Sequence, residues 1–141
     1  MDSLAVAIGT SHGAYKFKGE PRLDFERLKE IHALIPDVPL VLHGASTVIP
    51  EFVDKCNEYG GEIPGARGVP EDMITEAVKH GVCKVNIDTD LRLAMTAEIR
   101  KFMVENPAEF DPRKYLGPAR SAIKQMVKHK IKDVLKASGK R

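Results

Sequence analysis

The sequence predicts an α/β fold built on parallel strands. Three short apolar runs have the length of buried strands, and helical patterns lie between them. The runs are LAVAIG (4–9), PLVLH (39–43) and VCKVNI (82–87). Strands that alternate with helices indicate βαβ units, in which the strands pair in parallel. Because three such strands neither close a barrel nor cover their outer edges, we expect residues 1–141 to form one partial domain of something larger.

Between these strands, helical periodicity predicts three helices. Each starts with a residue suited to a first turn, and two of them reach a glycine at which a helix can end. The expected segments are 24–35, capped by Asp24; 50–60, from Pro50 to Gly60; and 70–81, from Pro70 to Gly81.

Two more helices are expected after the third strand. The first covers 89–104 and stops at Asn106-Pro107, and its expected apolar face consists of Leu91, Met95, Ile99 and Phe102. The C-terminal helix is expected over Pro118 to Lys136, with an apolar side opposite a side dense in lysine. We interpret those lysines as a solvated face rather than as a site for an anionic partner.

Composition and charge exclude several classes of function. The apolar fraction of 43%, the charged fraction of 30% and the net charge of +2 are those of an ordinary globular protein, so we expect neither nucleic acid nor a membrane as a partner. Cys56 and Cys83 form no CxxC pair, which argues against a zinc ribbon or a disulfide framework. No segment approaches the ~20 apolar residues of a membrane helix. We therefore expect a cytoplasmic protein.

Each predicted strand ends in residues that carry useful chemistry. The three strand ends read GTSHG (9–13), HGAS (43–46) and NIDTD (86–90). In parallel α/β folds the carboxyl ends of the strands face the same way, and active sites form there. The three strand ends therefore predict one site made from distant parts of the chain.

Two histidines stand at these strand ends. His12 and His43 are each followed by glycine. Neutral imidazole is a common ligand of zinc, and a catalytic zinc ion takes about three protein ligands and keeps an open position. Two histidines supply only part of such a site, so the alternative is a pair of structural histidines bonded to backbone groups.

Small and hydroxyl residues at the same positions suit an anion. Gly13, Gly44 and Ser46 follow their strands where backbone N–H groups can face a ligand. Asp88 and Thr89 stand where the long helix begins, and free N–H groups and the helix dipole favour a phosphate there. The alternative is that these residues only form turns and helix caps.

Polar residues of the third strand end suggest further contacts with a substrate. Lys84, Asn86 and Asp88 alternate with apolar neighbours, so one face of the strand is expected to line a site, with Asn86 and Asp88 bonding a polyhydroxylated substrate. Arg92 and Arg113 are candidates for a second phosphate, because a guanidinium binds such oxyanions through two hydrogen bonds. As isolated residues, both arginines are equally typical of surface ion pairs.

Taken together, four motifs resemble a known family. They are GTSHGAYKF, LVLHGAS, GVPEDMITEAVKHGVCKVNIDTDLR and DPRKYLGPAR, and they resemble the C-terminal part of class II fructose-bisphosphate aldolases in the expected order. The resemblance implies the C-terminal portion of a TIM (β/α)8 barrel. It implies zinc-dependent, reversible cleavage of fructose 1,6-bisphosphate to dihydroxyacetone phosphate and glyceraldehyde 3-phosphate, in glycolysis and gluconeogenesis.

The resemblance also implies roles for individual residues. His12 and His43 match metal ligands of the family, and Asn86 matches a residue near the reacting carbons. Phosphate contacts are implied for Gly13, Gly44, Ser46, Asp88 and Thr89, and the distal phosphate for Arg92 and Arg113, one of them a candidate to reach a neighbouring subunit. A monovalent cation, Na⁺ or K⁺, is implied near Ser11, Gly13, Gly44 and Ser46. The implied assembly is a homo-oligomer, a dimer or a tetramer.

Two departures from the family pattern bear on activity. The STVIP segment has one residue more than the pattern, which predicts a shifted entry into the Pro50 helix. Family chains are roughly twice as long, and their N-terminal half brings a third histidine ligand, an aspartate and a loop carboxylate. We therefore expect this chain to be inactive without an N-terminal half of the barrel. The alternatives are a tagatose-bisphosphate aldolase and a non-catalytic phosphate-binding or assembly module.

Overall fold

The predicted α/β class is confirmed in the computed structural model, which describes residues 1–10 and 21–140. In this part of the chain, three parallel strands form one open sheet in the order β1-β2-β3. The strands are β1 (Leu4–Val6), β2 (Leu40–Leu42) and β3 (Val82–Val85). The helices are α1 (Phe25–Leu34), α2 (Pro50–Glu58), α3 (Glu71–Val78), α4 (Thr89–Glu105) and α5 (Pro112–His129), and a π-helical turn, Lys130–Val134, follows directly.

The pairing of β2 with β3 contains an irregularity that changes which side chains are exposed. Leu40 pairs with Val82, but the next residue of β2, Val41, pairs with Lys84, so Cys83 is the extra residue of a bulge. Cys83 and Lys84 are consecutive residues and are both exposed, so the expected alternation of apolar and polar faces is not kept at this point of the strand. The bulge shifts the side-chain alternation by one residue, which periodicity in the sequence does not show.

The three helices between the strands begin where the sequence predicted. The Asp24 carboxylate accepts the N–H of Arg27 at 2.9 Å and caps α1. Pro50 occupies the first turn of α2, and Pro70 immediately precedes α3. The glycine after α2, Gly60, has a φ of 81°, in the left-handed region that commonly ends helices.

The C-terminal helix starts earlier than the sequence predicted. It begins at Pro112 with Asp111 as its cap, and Pro118 lies inside it. A proline inside a helix removes a backbone hydrogen bond, which is why Pro118 looked like a first-turn residue. Packing of α5 along α4 stabilises the helix across this position, and Ala119 is buried there.

Among the described residues, the core has two parts. One lies around the sheet and contains Leu28 of α1, Leu40 and Leu42 of β2 and Val134 of the π-helical turn. The other lies between α2 and α4, with Val53, Cys56, Leu93 and Ala97. The buried residues of α4 are Asp90, Leu93, Ala94 and Ala97, while Leu91, Met95, Ile99 and Phe102 are only partly buried. The most buried face of α4 is therefore offset from the predicted apolar face, and it includes the carboxylate of Asp90.

One lysine departs from the predicted solvated face. Lys130 stands at the end of α5 and is only 3% exposed. Its buried ammonium group contacts residues that lie between 40 and 83 positions earlier in the chain. Packing between distant segments buries this lysine, and the local periodicity of α5 carries no sign of it.

Candidate functional site

The ends of β2 and β3 lie side by side at one edge of the sheet. The N–H of His43, which directly follows β2, donates to the carbonyl of Val6 at 2.9 Å. The N–H of Asn86, which directly follows β3, donates to the carbonyl of Leu42 at 3.0 Å. The Thr10 hydroxyl donates to the carbonyl of His43 at 3.1 Å. The described residues of all three strand ends therefore converge, as the sequence predicted.

At this edge the side chains of His43 and Asn86 are in contact. The amide nitrogen of Asn86 lies 2.9 Å from Nε2 of His43. A hydrogen bond to one ring nitrogen selects the tautomer of an imidazole and fixes the orientation of its ring. Asn86 therefore orients His43. The other histidine predicted for this site, His12, lies outside the described residues, as does Gly13.

The Ser46 hydroxyl occupies the N-terminus of α4. Its Oγ accepts the N–H of Asp88 at 3.1 Å and the N–H of Thr89 at 3.2 Å, and Ser46 is only 4% exposed. The Asp88 carboxylate does not cap the helix and bonds Arg92 Nε at 2.9 Å instead. A hydroxyl that accepts two N–H groups still has its own O–H to donate. Ser46 thus extends the positive end of α4 by one hydrogen-bond donor.

The loop that carries Ser46 has an unusual backbone. Gly44 has a φ of 64°, which suits glycine, but Val48 has a φ of 51°, which a β-branched side chain rarely adopts. Gly68 approaches the same loop so closely that an added Cβ would overlap the carbonyl of Ser46 and lie 2.5 Å from the carbonyl oxygen of Thr47. The N–H of Val69 donates to Ser46 O at 3.1 Å. Residues 44–48, which we call the anion loop after the ligand predicted for them, are therefore held in one conformation by their surroundings.

A buried carboxylate lies beneath the anion loop. Asp90, in the first turn of α4, is fully buried and accepts the N–H of Thr47 at 2.9 Å and that of Val48 at 2.5 Å. The Lys130 ammonium lies 3.3 Å from Asp90 Oδ2 and donates to the Thr47 hydroxyl at 2.6 Å. It also donates to Glu71 Oε1 at 2.8 Å. The buried Asp90 and Lys130 and the half-buried Glu71 thus form one cluster of charges.

His129 extends this cluster towards the surface. Its Nε2 lies 2.9 Å from the Glu71 carboxylate, and its Nδ1 lies 3.1 Å from Asp133. The hydrogen bond to Glu71 raises the pKa of His129 above its ordinary value, against the effect of burial. Burial disfavours the charged form of Glu71, but hydrogen bonds from Lys130 and His129 together hold the pKa of Glu71 below its ordinary value.

The two arginines predicted to bind a distal phosphate lie in different places. Arg92 is at the N-terminal end of α4 with a side chain 77% exposed, next to Asp88. Arg113 is in the first turn of α5, 88% exposed and bonded to Asp111. Since α5 rises ~1.5 Å per residue, Arg113 lies about 25 Å along the helix from Lys130, which contacts the anion loop. The structure brings Arg92 to the site and does not bring Arg113 to it.

His43 is the histidine that the described residues supply at this edge of the sheet. Among residues 1–10 and 21–140, histidine, cysteine and carboxylate side chains form no group of three that could hold a metal ion. His43 itself fits a zinc ligand, because it is an imidazole at a strand end with a polar neighbour orienting its ring. His43 is therefore suited to bind zinc, but residues 1–10 and 21–140 do not contain a complete set of zinc ligands.

Comparison with known proteins identifies a family that matches the chain over nearly all of its length. A sequence model of the family described as fructose-bisphosphate aldolase class-II matches residues 1–62 and 63–140. The chain belongs to this family. The fructose-bisphosphate aldolase of Stutzerimonas stutzeri is 56% identical over 129 residues, which cover 89% of this chain and 36% of that protein.

Two further aldolases are as similar. The fructose-bisphosphate aldolase of Giardia intestinalis is 55% identical over 134 residues, covering 94% of this chain and 41% of its own length. That of Thermus caldophilus is 56% identical over 130 residues, covering 92% of this chain and 42% of its own length. The chain thus spans less than half the length of these aldolases. In the described part of the chain, no helix has the length and hydropathy needed to cross a bilayer.

Sequence reasoning missed four residues that shape the site of this aldolase-family chain. They are Thr47, Gly68, Asp90 and Lys130. Asp90 closes the NIDTD motif, and its position in a first helical turn was the one available signal. Gly68 lies in GARG, which reads as a plain connection, and Lys130 lies among other lysines. Their roles depend on contacts between distant segments.

Proposed function

We propose that this chain carries the C-terminal, phosphate-binding part of a zinc-dependent class II fructose-bisphosphate aldolase. The observation that carries the proposal is the placement of Ser46 Oγ on the N–H groups of Asp88 and Thr89, beside the His43–Asn86 pair and within a chain of this family. Residues 1–141 form one partial domain in this proposal. Catalysis requires an N-terminal half of the barrel, and the chain alone is inactive.

The anion loop binds a phosphate group of the sugar substrate. The Ser46 hydroxyl accepts hydrogen bonds from two N–H groups at the start of α4, and its own O–H donates a hydrogen bond to a phosphate oxygen. The positive φ of Gly44 turns the backbone between His43 and Ser46, and the positive end of the α4 dipole attracts the dianion. Gly13, outside the described residues, is the proposed partner from the first strand end. Arg92 contributes positive charge at the rim of the site.

His43 and His12 are the proposed zinc ligands, and Asn86 orients His43. A bound zinc ion supplies Lewis-acid polarisation of the substrate carbonyl. Asn86 is close enough to His43 to contact the reacting part of the same substrate through the rest of its amide group. A monovalent cation, Na⁺ or K⁺, near Gly44 and Ser46 is part of the same proposal.

Arg113 serves a different position. Its side chain is exposed and lies far along α5 from the anion loop, so we assign it to the distal phosphate at the site of a neighbouring subunit. This assignment requires a homo-oligomer, and it agrees with a cytoplasmic enzyme that acts on a phosphorylated sugar.

The decisive experiment is complementation. The chain is assayed for cleavage of fructose 1,6-bisphosphate with Zn²⁺, alone and mixed with a separately expressed N-terminal half of an aldolase. We expect no activity alone and a gain of activity on mixing, which His43→Ala and Asn86→Ala abolish. His80→Ala is the matched control, since His80 bonds Glu76 on α3 and does not contact the strand ends. A complex that forms without any gain of activity contradicts the proposal and favours a non-catalytic phosphate-binding module.

Zinc and phosphate binding are tested separately on the chain alone. Calorimetry with Zn²⁺ should show weak binding that is lost when His43 and His12 are both replaced by alanine. Unchanged affinity in that double variant would contradict the metal assignment. Titration with tagatose 1,6-bisphosphate beside fructose 1,6-bisphosphate in the complemented complex identifies which sugar is preferred.

A further inference from the structure

The anion loop contains a conformation that needs outside support. Val48 has a φ of 51°, and a non-glycine residue held in such a region is under backbone strain. Strain of this kind persists only where neighbouring groups fix the backbone. Here the fixing group is the Asp90 carboxylate, which accepts the N–H groups of both Thr47 and Val48.

Lys130 completes that support from the other end of the chain. The Lys130 side chain is 4% exposed, and its ammonium group contacts the carboxylates of Asp90 and Glu71 and the Thr47 hydroxyl. Thr47 is the residue after Ser46. The Lys130 side chain therefore bonds the loop directly beside the Ser46 hydroxyl, which lies at the N-terminus of α4.

Stability alone is a weak reason for this arrangement. Removing an ammonium group from water is costly, and well-packed apolar residues in place of a buried ion pair are often as stabilising or more so. An apolar residue at position 130 would avoid that desolvation cost, but it could neither donate to Thr47 Oγ1 nor neutralise the buried Asp90 carboxylate. Lysine therefore has two roles here, the pairing with Asp90 and the contact with Thr47, and the second is the one that reaches the residue next to Ser46.

We propose that Lys130 is a positioning residue for anion binding: it holds Thr47, and through it Ser46, in the geometry that receives the phosphate. Lys130 does not touch the phosphate in this inference. The inference rests on the proposed function of residues 44–48, and it makes the C-terminal helix a working part of the site.

The test uses the full chain and two matched pairs of variants. Thr47→Val removes the hydroxyl that Lys130 bonds, and Thr47→Ser keeps it. Lys130→Met removes the ammonium group, and Lys132→Met removes an exposed lysine two residues on. Binding of inorganic phosphate is followed through the amide shifts of Asp88 and Thr89. Hydrogen exchange is measured at the Thr47 and Val48 amides, and the free energy of unfolding by urea.

We expect T47V and K130M each to weaken phosphate binding about tenfold, which corresponds to ~1.4 kcal/mol. Exchange at the Thr47 and Val48 amides should rise by a similar factor. T47S and K132M should match the wild type in both measurements, and this rescue by serine separates positioning of the loop from a general loss of stability.

The outcomes decide the inference in every case. It is overturned if T47V and K130M lower the free energy of unfolding but leave phosphate affinity and loop exchange unchanged. If the wild type does not bind phosphate, the proposed function of the loop fails. In that case, faster hydrogen exchange at the Thr47 and Val48 amides in T47V but not in T47S still supports positioning of the loop by Lys130. Equal exchange in the two variants overturns the positioning role. If K130M does not fold, the T47V and T47S pair gives the answer alone.

Discussion

Replacing Gly68 by alanine places a methyl group inside the backbone of the anion loop. The new Cβ would overlap Ser46 O and lie 2.5 Å from Thr47 O, whereas ordinary contacts begin at 3.4 Å. Both neighbours are backbone atoms, which cannot move aside as the end of a flexible side chain can. Overpacking costs ~1–3 kcal/mol, and the rigidity of this contact puts the expected loss near the upper end, about 3 kcal/mol.

Urea unfolding followed by circular dichroism measures this loss as a lower midpoint with an unchanged slope. The matched control is Gly117→Ala, since Gly117 lies in α5 with nothing within 4 Å of its added Cβ. In a helix the entropy gain of alanine is ~0.5–1 kcal/mol, but at position 117 it is offset by crowding between the new Cβ and the ring of Pro118, so this change should leave the free energy of unfolding within about 0.5 kcal/mol of the wild type. A Gly68→Ala variant within about 0.5 kcal/mol of the wild type, the range of a neutral surface change, would refute the argument that residues 46 and 47 are rigidly held.

Four other substitutions, one of them a control, test separate parts of the structure. Ser46→Ala removes the acceptor at the N-terminus of α4 and should cost ~1 kcal/mol in urea unfolding, as for the loss of a helix cap. Leu28→Ala empties a fully buried position of α1 and should cost ~2–5 kcal/mol. Leu34→Ala on the same helix, at a position 82% exposed, should change stability by less than about 0.5 kcal/mol. His129→Gln tests pH dependence. Because the pKa of His129 is raised in the folded protein, its contribution to stability is full below about pH 6.5 and disappears as the pH rises through the folded-state pKa. Because the pKa of Glu71 is lowered, its contribution to stability is full above about pH 4.3 and is lost as the pH falls through the folded-state pKa. The difference in urea midpoint between wild type and H129Q should therefore be largest between those two pH values and shrink towards pH 8, and a difference that grows with pH would contradict the ion pair.

The sequence predicted the elements whose signals are local. Apolar runs located the strands, and Asp24 and Pro50 located helix starts, because caps and first-turn prolines act within a few residues. The strand ends were predicted to converge because parallel strands present their carboxyl ends to one edge, and His43 and Asn86 do meet there. The predicted start of α5 at Pro118 was wrong, because packing along α4 outweighs the cost of a proline inside the helix.

The rest of the site depends on contacts that no local pattern records. Lys130 has the spacing of a solvated lysine, and only the approach of Asp90, Glu71 and Thr47 makes its burial possible. Gly68 has the composition of a flexible connection, and its tight packing arises because the anion loop runs directly against it. Periodicity describes one segment at a time and cannot show either of these meetings.

The contact between Thr47 and Lys130 also has a consequence for the order of folding. These residues are 83 positions apart, whereas Thr47 and Asp90 are 43 apart, and closing the longer loop costs only about 0.6 kcal/mol more in chain entropy. The penalty lies in time, because contacts between distant residues form late and slow the search for the native state. During synthesis the Asp90 carboxylate is made before its ammonium partner, so we expect the anion loop to reach its final shape only after the segment that carries Lys130 has left the ribosome and docked.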